Sequence, residues 1–227
     1  MIFYSYNIAM KKIVWLMVFI LFSTRQATAK GFDFFNNLKT KPTAQDRLAP
    51  VKQVYDEEMT PSEQAILLYN DNNLQSALDA LLKIKEGERS AADWLLLGNV
   101  MQDMERNSDA IFMYQKAILK NPKFYKAYYN LGNIYLADDK PFLAIENFRE
   151  ANKLNPQFAY GYYNLGCAYL KAGNLKKAKI AFLKAVELKN NVPDFYYNVA
   201  YAYKMLNKPK LSKQYLDLYN KLMEASQ

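Results

Sequence analysis

The amino-acid sequence predicts an all-α solenoid, a row of helix pairs stacked on one another. Two observations carry this. First, one short pattern recurs in step. Trp94-Leu95-Leu96-Leu97-Gly98 is followed 34 residues later by Tyr128-Tyr129-Asn130-Leu131-Gly132. Tyr162-Tyr163-Asn164-Leu165-Gly166 and Tyr196-Tyr197-Asn198-Val199-Ala200 follow at the same interval. Self-similarity at such a period marks repeated supersecondary units, none of which can bury its apolar side alone. Second, the composition leaves little catalytic apparatus. The 227 residues include no histidine, one cysteine and seven glycines.

The second half of each unit repeats as well. Ala110, Ala144 and Ala178 are in register, as are Tyr114, Phe148 and Phe182, and Ala117, Ala151 and Ala185. The whole resembles the tetratricopeptide repeat, whose pattern runs W-x2-L-G-x2-Y, then A-x3-F, then A and P. That resemblance implies a right-handed α-solenoid of helix-turn-helix units. Residues 91–124, 125–158 and 159–192 fit closely; Met101 replaces the tyrosine kept as Tyr135 and Tyr169, and Asn190 stands where proline is usual. Residues 58–90 form a degenerate first unit, with Ala65, Leu68, Ala77, Leu81 and Ile84 in phase. Residues 193–226 form a degenerate, capping last unit, with Ser212 at the small position.

Each element follows from local chemistry. Lys11 and Lys12 precede the apolar stretch Ile13–Phe22, and Ala27-Thr28-Ala29 closes it, so residues 1–29 read as a secretory signal peptide. An uncleaved membrane anchor is the alternative. Residues 30–60 hold Pro42, Pro50 and several charges without a helical period, and read as a flexible linker, with one helical turn near 53–58. The repeat domain is expected over 61–226. Thr60 caps its first helix, Pro61 suits the first position and Glu63 completes a capping box. Pro141 and Pro209 sit where second helices begin, and Gly173 supplies a left-handed helix stop. Asn121-Pro122 and Asn155-Pro156 close two units and offer a cap and first-turn proline for the next helix.

Stacked helix pairs curve, and their first helices line the concave side. The resemblance implies that this side holds an extended peptide or a partner's tail. Asn130, Asn164 and Asn198 recur there. Family members with asparagine at this place hold peptide backbones, and a carboxamide offers both donors and an acceptor for that purpose. Binding is one reading of these residues; solvation, or hydrogen bonds to the neighbouring helix, is another. Asn99 and Asn133 follow the glycines, where Cys167 and Tyr201 stand in later units. Tyr129, Tyr163 and Tyr197 offer flat faces beside the asparagines, and Lys126, Lys171 and Lys204 add positive charge. The peptide groove is therefore expected to use Asn99, Lys126, Tyr129, Asn130, Asn133, Tyr163, Asn164, Tyr197 and Asn198. A two-carboxylate clamp is not expected, because Leu95, Tyr129 and Tyr163 occupy positions where it needs lysine.

Composition narrows the function further. Without histidine there is no Ser-His-Asp or Cys-His nucleophile, and no His- or Cys-rich zinc site. No glycine series of phosphate-binding type occurs. Loss of residues 1–29 would remove three basic residues and no acids, lowering the formal charge from +8 to +5. That is ordinary for a soluble domain and, with bases scattered among acids, unlike a nucleic-acid binder. The sequence thus predicts an exported, periplasmic or secreted, non-enzymatic scaffold with no catalytic residues, no metal and no cofactor. Its expected partner is a protein or peptide. The alternative is a structural element that self-associates through its end units, using Leu216, Tyr219 and Met223.

Overall fold

The computed structural model describes residues 59–225, and the expected signal peptide and the helical turn near 53–58 lie outside them. Ten α-helices form five antiparallel pairs: α1 (Pro61–Asn70) with α2 (Leu74–Leu82), α3 (Ala91–Asp103) with α4 (Asn107–Lys120), and α5 (Tyr125–Ala137) with α6 (Pro141–Leu154). Then come α7 (Ala159–Lys171) with α8 (Leu175–Leu188), and α9 (Pro193–Met205) with α10 (Pro209–Glu224). Among the described residues there is no strand. Each pair packs on the next, giving the predicted all-α solenoid.

The helix starts follow the side chains. Thr60 accepts from the Glu63 backbone N–H while the Glu63 carboxylate accepts from the Thr60 backbone N–H, the predicted capping box. Ser90 and Asp93 make a second one ahead of α3. Pro141 and Pro209 stand at the first positions of α6 and α10. The turn inside every pair is built alike. Asn72, Glu105, Asp139, Gly173 and Asn207 all have φ between 56° and 77°, in the left-handed region that ends a helix abruptly.

The Asn-Pro pairs do not open helices. Asn121 and Asn155 close α4 and α6, and α5 and α7 start only at Tyr125 and Ala159. Proline cannot continue the preceding helix, and each asparagine Oδ1 accepts from a backbone N–H two residues on, at Lys123 (3.0 Å) and Gln157 (3.3 Å). That side chain is committed to the turn and unavailable as a cap.

Packing within a pair rests on a glycine facing a ring. A Cβ on Gly132 would lie 2.6 Å from the Phe148 ring, one on Gly166 would lie 2.5 Å from the Phe182 ring, and one on Gly98 would collide with the Tyr114 ring. The rings are completely buried. Ala110, Ala144 and Ala178 are equally inaccessible, as expected of helices in close contact. At the fourth such place Ala200 faces a helix carrying Leu216, so a side chain appears where the ring is lost. Ser212 keeps the small position by donating its hydroxyl to the Ala200 carbonyl at 2.9 Å.

One joint between pairs departs from the rest. Asn152 on α6 is buried, and neither its Nδ2 nor its Oδ1 has a hydrogen-bond partner. Its amide fills the space that a Cβ on Gly161 of α7 would need. One unit earlier and later, the same position holds Ile118 and Val186. A buried, unpaired amide costs about 1–3 kcal/mol. Asn152→Val, nearly the same size, is therefore expected to stabilise the protein by about 1–2 kcal/mol, read as a raised urea midpoint at unchanged slope.

Candidate functional site

The first helices α3, α5, α7 and α9 bring the recurring asparagines into line, and the units are tied together through them. The Nδ2 of Asn130 donates to Asn99 Oδ1 of the preceding unit at 2.8 Å. Asn164 Nδ2 repeats this with Asn133 Oδ1 at 2.8 Å and adds the Tyr129 hydroxyl at 3.0 Å. Cys167 stands where a third such oxygen would be, so Asn198 Nδ2 donates to the Tyr163 hydroxyl and its own helix at the Asp194 carbonyl, both at 3.0 Å. Of the two readings of these residues, the amide nitrogens realise the one in which they bond the neighbouring helix. The oxygens Oδ1 of Asn130, Asn164 and Asn198 accept no hydrogen bond from the described residues. The line therefore holds spare acceptors, with Asn130 and Asn198 half-buried and Asn164 buried.

The predicted groove residues divide on this basis. Tyr129 is not an open face. It is 7% exposed, packed against Phe148 (ring centroids 5.8 Å apart) and edge-on to Phe158 at 4.8 Å. Tyr163 lies between Phe182 and Phe195, stacked on the latter at 4.9 Å. Sequence position alone turned both toward the groove; the bulk of Phe158, at the start of α7, and of Phe195, on α9, covers them. Their hydroxyls serve the asparagines, and burial holds both phenols above the ordinary tyrosine range. Tyr197, which has no following unit over it among the described residues, is 48% exposed, its ring 5.5 Å from that of Tyr219 on α10. Lys126 and Lys204 are exposed. Lys171 is engaged, donating to the Leu136 carbonyl at 2.9 Å and pairing with Asp139 at 3.1 Å.

Sequence reasoning placed Tyr114 in the core and missed its polar end. Its hydroxyl lies 2.8 Å from Asn99 Oδ1 and 2.9 Å from Gln102 Oε1, extending the polar line one unit further. The signal was a tyrosine where the other units carry Phe148 and Phe182. Tyr69 adds a bond to Asp103 at 2.7 Å. Among the described residues no three His, Cys, Asp or Glu side chains gather to hold a metal, and no helix is long and apolar enough to cross a membrane.

Stacked helix pairs with a continuous polar line along their first helices define an interaction module of the α-solenoid class. Models of the tetratricopeptide repeat match residues 159–192 and, in a different phase, residues 113–146. The chain is a tetratricopeptide-repeat protein. Solved structures of MamA share the fold. One is 24% identical with a TM-score of 0.67, covering 71% of this chain and 95% of that chain. A MamA structure from MSR-1 is 20% identical with a TM-score of 0.64 (74% and 97% covered), and one from RS-1 is 19% identical with a TM-score of 0.67 (71% and 92%). No curated protein matches the sequence.

The lone thiol bears on function. Cys167 sits among Tyr163 and Asp194, and burial pushes its pKa up to about 12. The thiolate is the reactive form and is disfavoured here at any physiological pH. Half-buried Cys167 is therefore expected to react slowly with a thiol reagent at pH 8 in the native protein and fully once urea unfolds it; fast native labelling would contradict the raised pKa.

Proposed function

We propose that this protein is an exported, non-enzymatic scaffold that holds an extended peptide, or the tail of a partner protein, along its first helices. The observation supporting this reading is the row of carboxamide oxygens on Asn130, Asn164 and Asn198, fixed by their own internally bonded nitrogens and left without a donor. Such a row suits backbone N–H groups of an extended chain. Facing helices lie about 8–10 Å apart, close to three residues of strand at about 3.3 Å each. Lys126 and Tyr197 are exposed beside the row. Asn99, Asn133, Tyr129 and Tyr163 act behind it, orienting the amides. Export rests on Lys11, Lys12, the apolar run and Ala27-Thr28-Ala29.

Because the nitrogens bridge units, replacement by alanine changes stability as well as binding. The triple variant Asn130→Ala, Asn164→Ala, Asn198→Ala should lose about 0.5–1.5 kcal/mol of stability per net hydrogen bond, seen in urea melts. It should also lose binding to a partner recovered with the wild-type mature chain, measured by calorimetry well below the variant's unfolding midpoint. Unchanged binding alongside lowered stability would make the row purely structural.

A second reading is favoured by the last pair. Leu216 occupies the place of Phe148 and Phe182, which are completely buried, yet it is 40% exposed, as is Met223. No residue of α10 is buried. Self-association through this end would cover them. Sedimentation over a range of concentrations should then show assembly, and changing Leu216, Tyr219 and Met223 to serine should abolish it. A monomer at all concentrations would remove this reading.

A further inference from the structure

The turns within the pairs carry charge of opposite sign at the two ends of the row. In the second and third pairs the turn segments 103–111 and 137–145 contain Asp103, Glu105, Asp109, Asp138 and Asp139, against Arg106 and Lys140. In the fourth and fifth pairs the corresponding segments 171–179 and 205–213 contain no acid at all. Lysine fills them instead. The two basic turns are neighbours, because the segment Ala172–Lys176 and Leu206 line one shallow surface pocket.

The two ends also differ in how their charges are used. Asp103 accepts from the Tyr69 hydroxyl, Asp109 pairs with Arg106, Asp138 pairs with Lys140 and Asp139 pairs with Lys171. The acidic turns are largely satisfied within the chain. Lys177 and Lys179 cover the rings of Tyr169 and Tyr203. Lys176, Lys204, Lys208, Lys210 and Lys213 are exposed and have no ion pair among the described residues. The first turn of a helix carries the positive end of its dipole and prefers acids; α8 and α10 have none in that turn and carry lysine instead.

We propose that the turn edge of the fourth and fifth pairs is a docking surface for an acidic polypeptide segment. The partner's carboxylates would meet Lys176, Lys208, Lys210 and Lys213, with the helix starts of α8 and α10 adding to the attraction. A nucleic acid is less well matched, because the tyrosine faces nearest these lysines are already covered by Lys177 and Lys179 and offer no base a platform. A second copy of this chain is also poorly matched, since most of its acidic turn residues are committed internally. The surface is separate from the row of asparagines and does not depend on it.

The test uses the mature chain and a fluorescent ten-residue glutamate peptide, followed by anisotropy. Binding should weaken as salt rises. The variant Lys176→Glu, Lys208→Glu, Lys210→Glu, Lys213→Glu should bind at least about tenfold more weakly, since each exposed attraction becomes a repulsion. The matching arginine variant should bind as wild type does. A control, Lys83→Glu, Lys120→Glu, Lys123→Glu, Lys153→Glu, makes the same change in net charge elsewhere and should lose far less. Circular dichroism keeps folding in view, and the arginine variant keeps the test decisive if the glutamate variant misfolds. Equal losses in both glutamate variants, or no binding by wild type, would overturn the proposal. So would tighter binding of single-stranded DNA of equal length, or of anionic phosphatidylserine vesicles, lost in the same variant. Salt-sensitive dimerisation abolished by the same four changes would assign the edge to a second copy instead.

Discussion

The contact on which the rest of this molecule depends is the one between a glycine on the first helix and a ring on the second. It occurs at Gly98 and Tyr114, Gly132 and Phe148, and Gly166 and Phe182. Without a Cβ, the first helix lets the ring lie flat over its backbone, and the two axes come close. The ring is then large enough to reach the following pair as well as its own. One side chain thereby settles both the geometry inside a unit and the apolar surface offered to its neighbour. A substitution that blocked the ring would disturb the pair and the joint together, because these interiors pack without slack.

That coupling explains why so much of the architecture could be read from the chain. Glycine and aromatic residues recur 16 positions apart, and alanines recur wherever helices touch, so periodicity and size alone specify the stack. The capping box at Thr60 and the left-handed Gly173 were legible for a similar reason, since each depends on residues adjacent in sequence. The Asn-Pro pairs misled because an asparagine side chain has two local uses, a helix cap and a tight turn. Two residues separate each pair from the next helix, and that spacing decides for the turn.

The candidate site was less legible. Periodicity says which residues share a face, and it put Asn130, Asn164 and Asn198 there. It does not say which atom of an amide is spent on the neighbour. It also cannot weigh Tyr129 and Tyr163 against Phe158, at the start of α7, and Phe195, on α9, which cover them. A tyrosine hydroxyl at a core position, as in Tyr114, was the clue that polar chemistry crosses the interior at the inner margin. The basic edge was visible as lysine-rich segments, but its meaning depended on learning that the opposing acids were already engaged.

The five intra-pair turns share one backbone conformation, with Asn72, Glu105, Asp139, Gly173 and Asn207 all left-handed. One left-handed residue closes each corner in the same way. The joints between pairs differ instead, because their contact residues are unequal. The equivalent positions hold Ile118 and Ala127, then Asn152 and Gly161, then Val186 and Phe195. Branched against small, polar against bare backbone, and branched against aromatic make three joints of different chemistry in succession. The units are accordingly not interchangeable, since each presents a face that fits only the neighbour it already has.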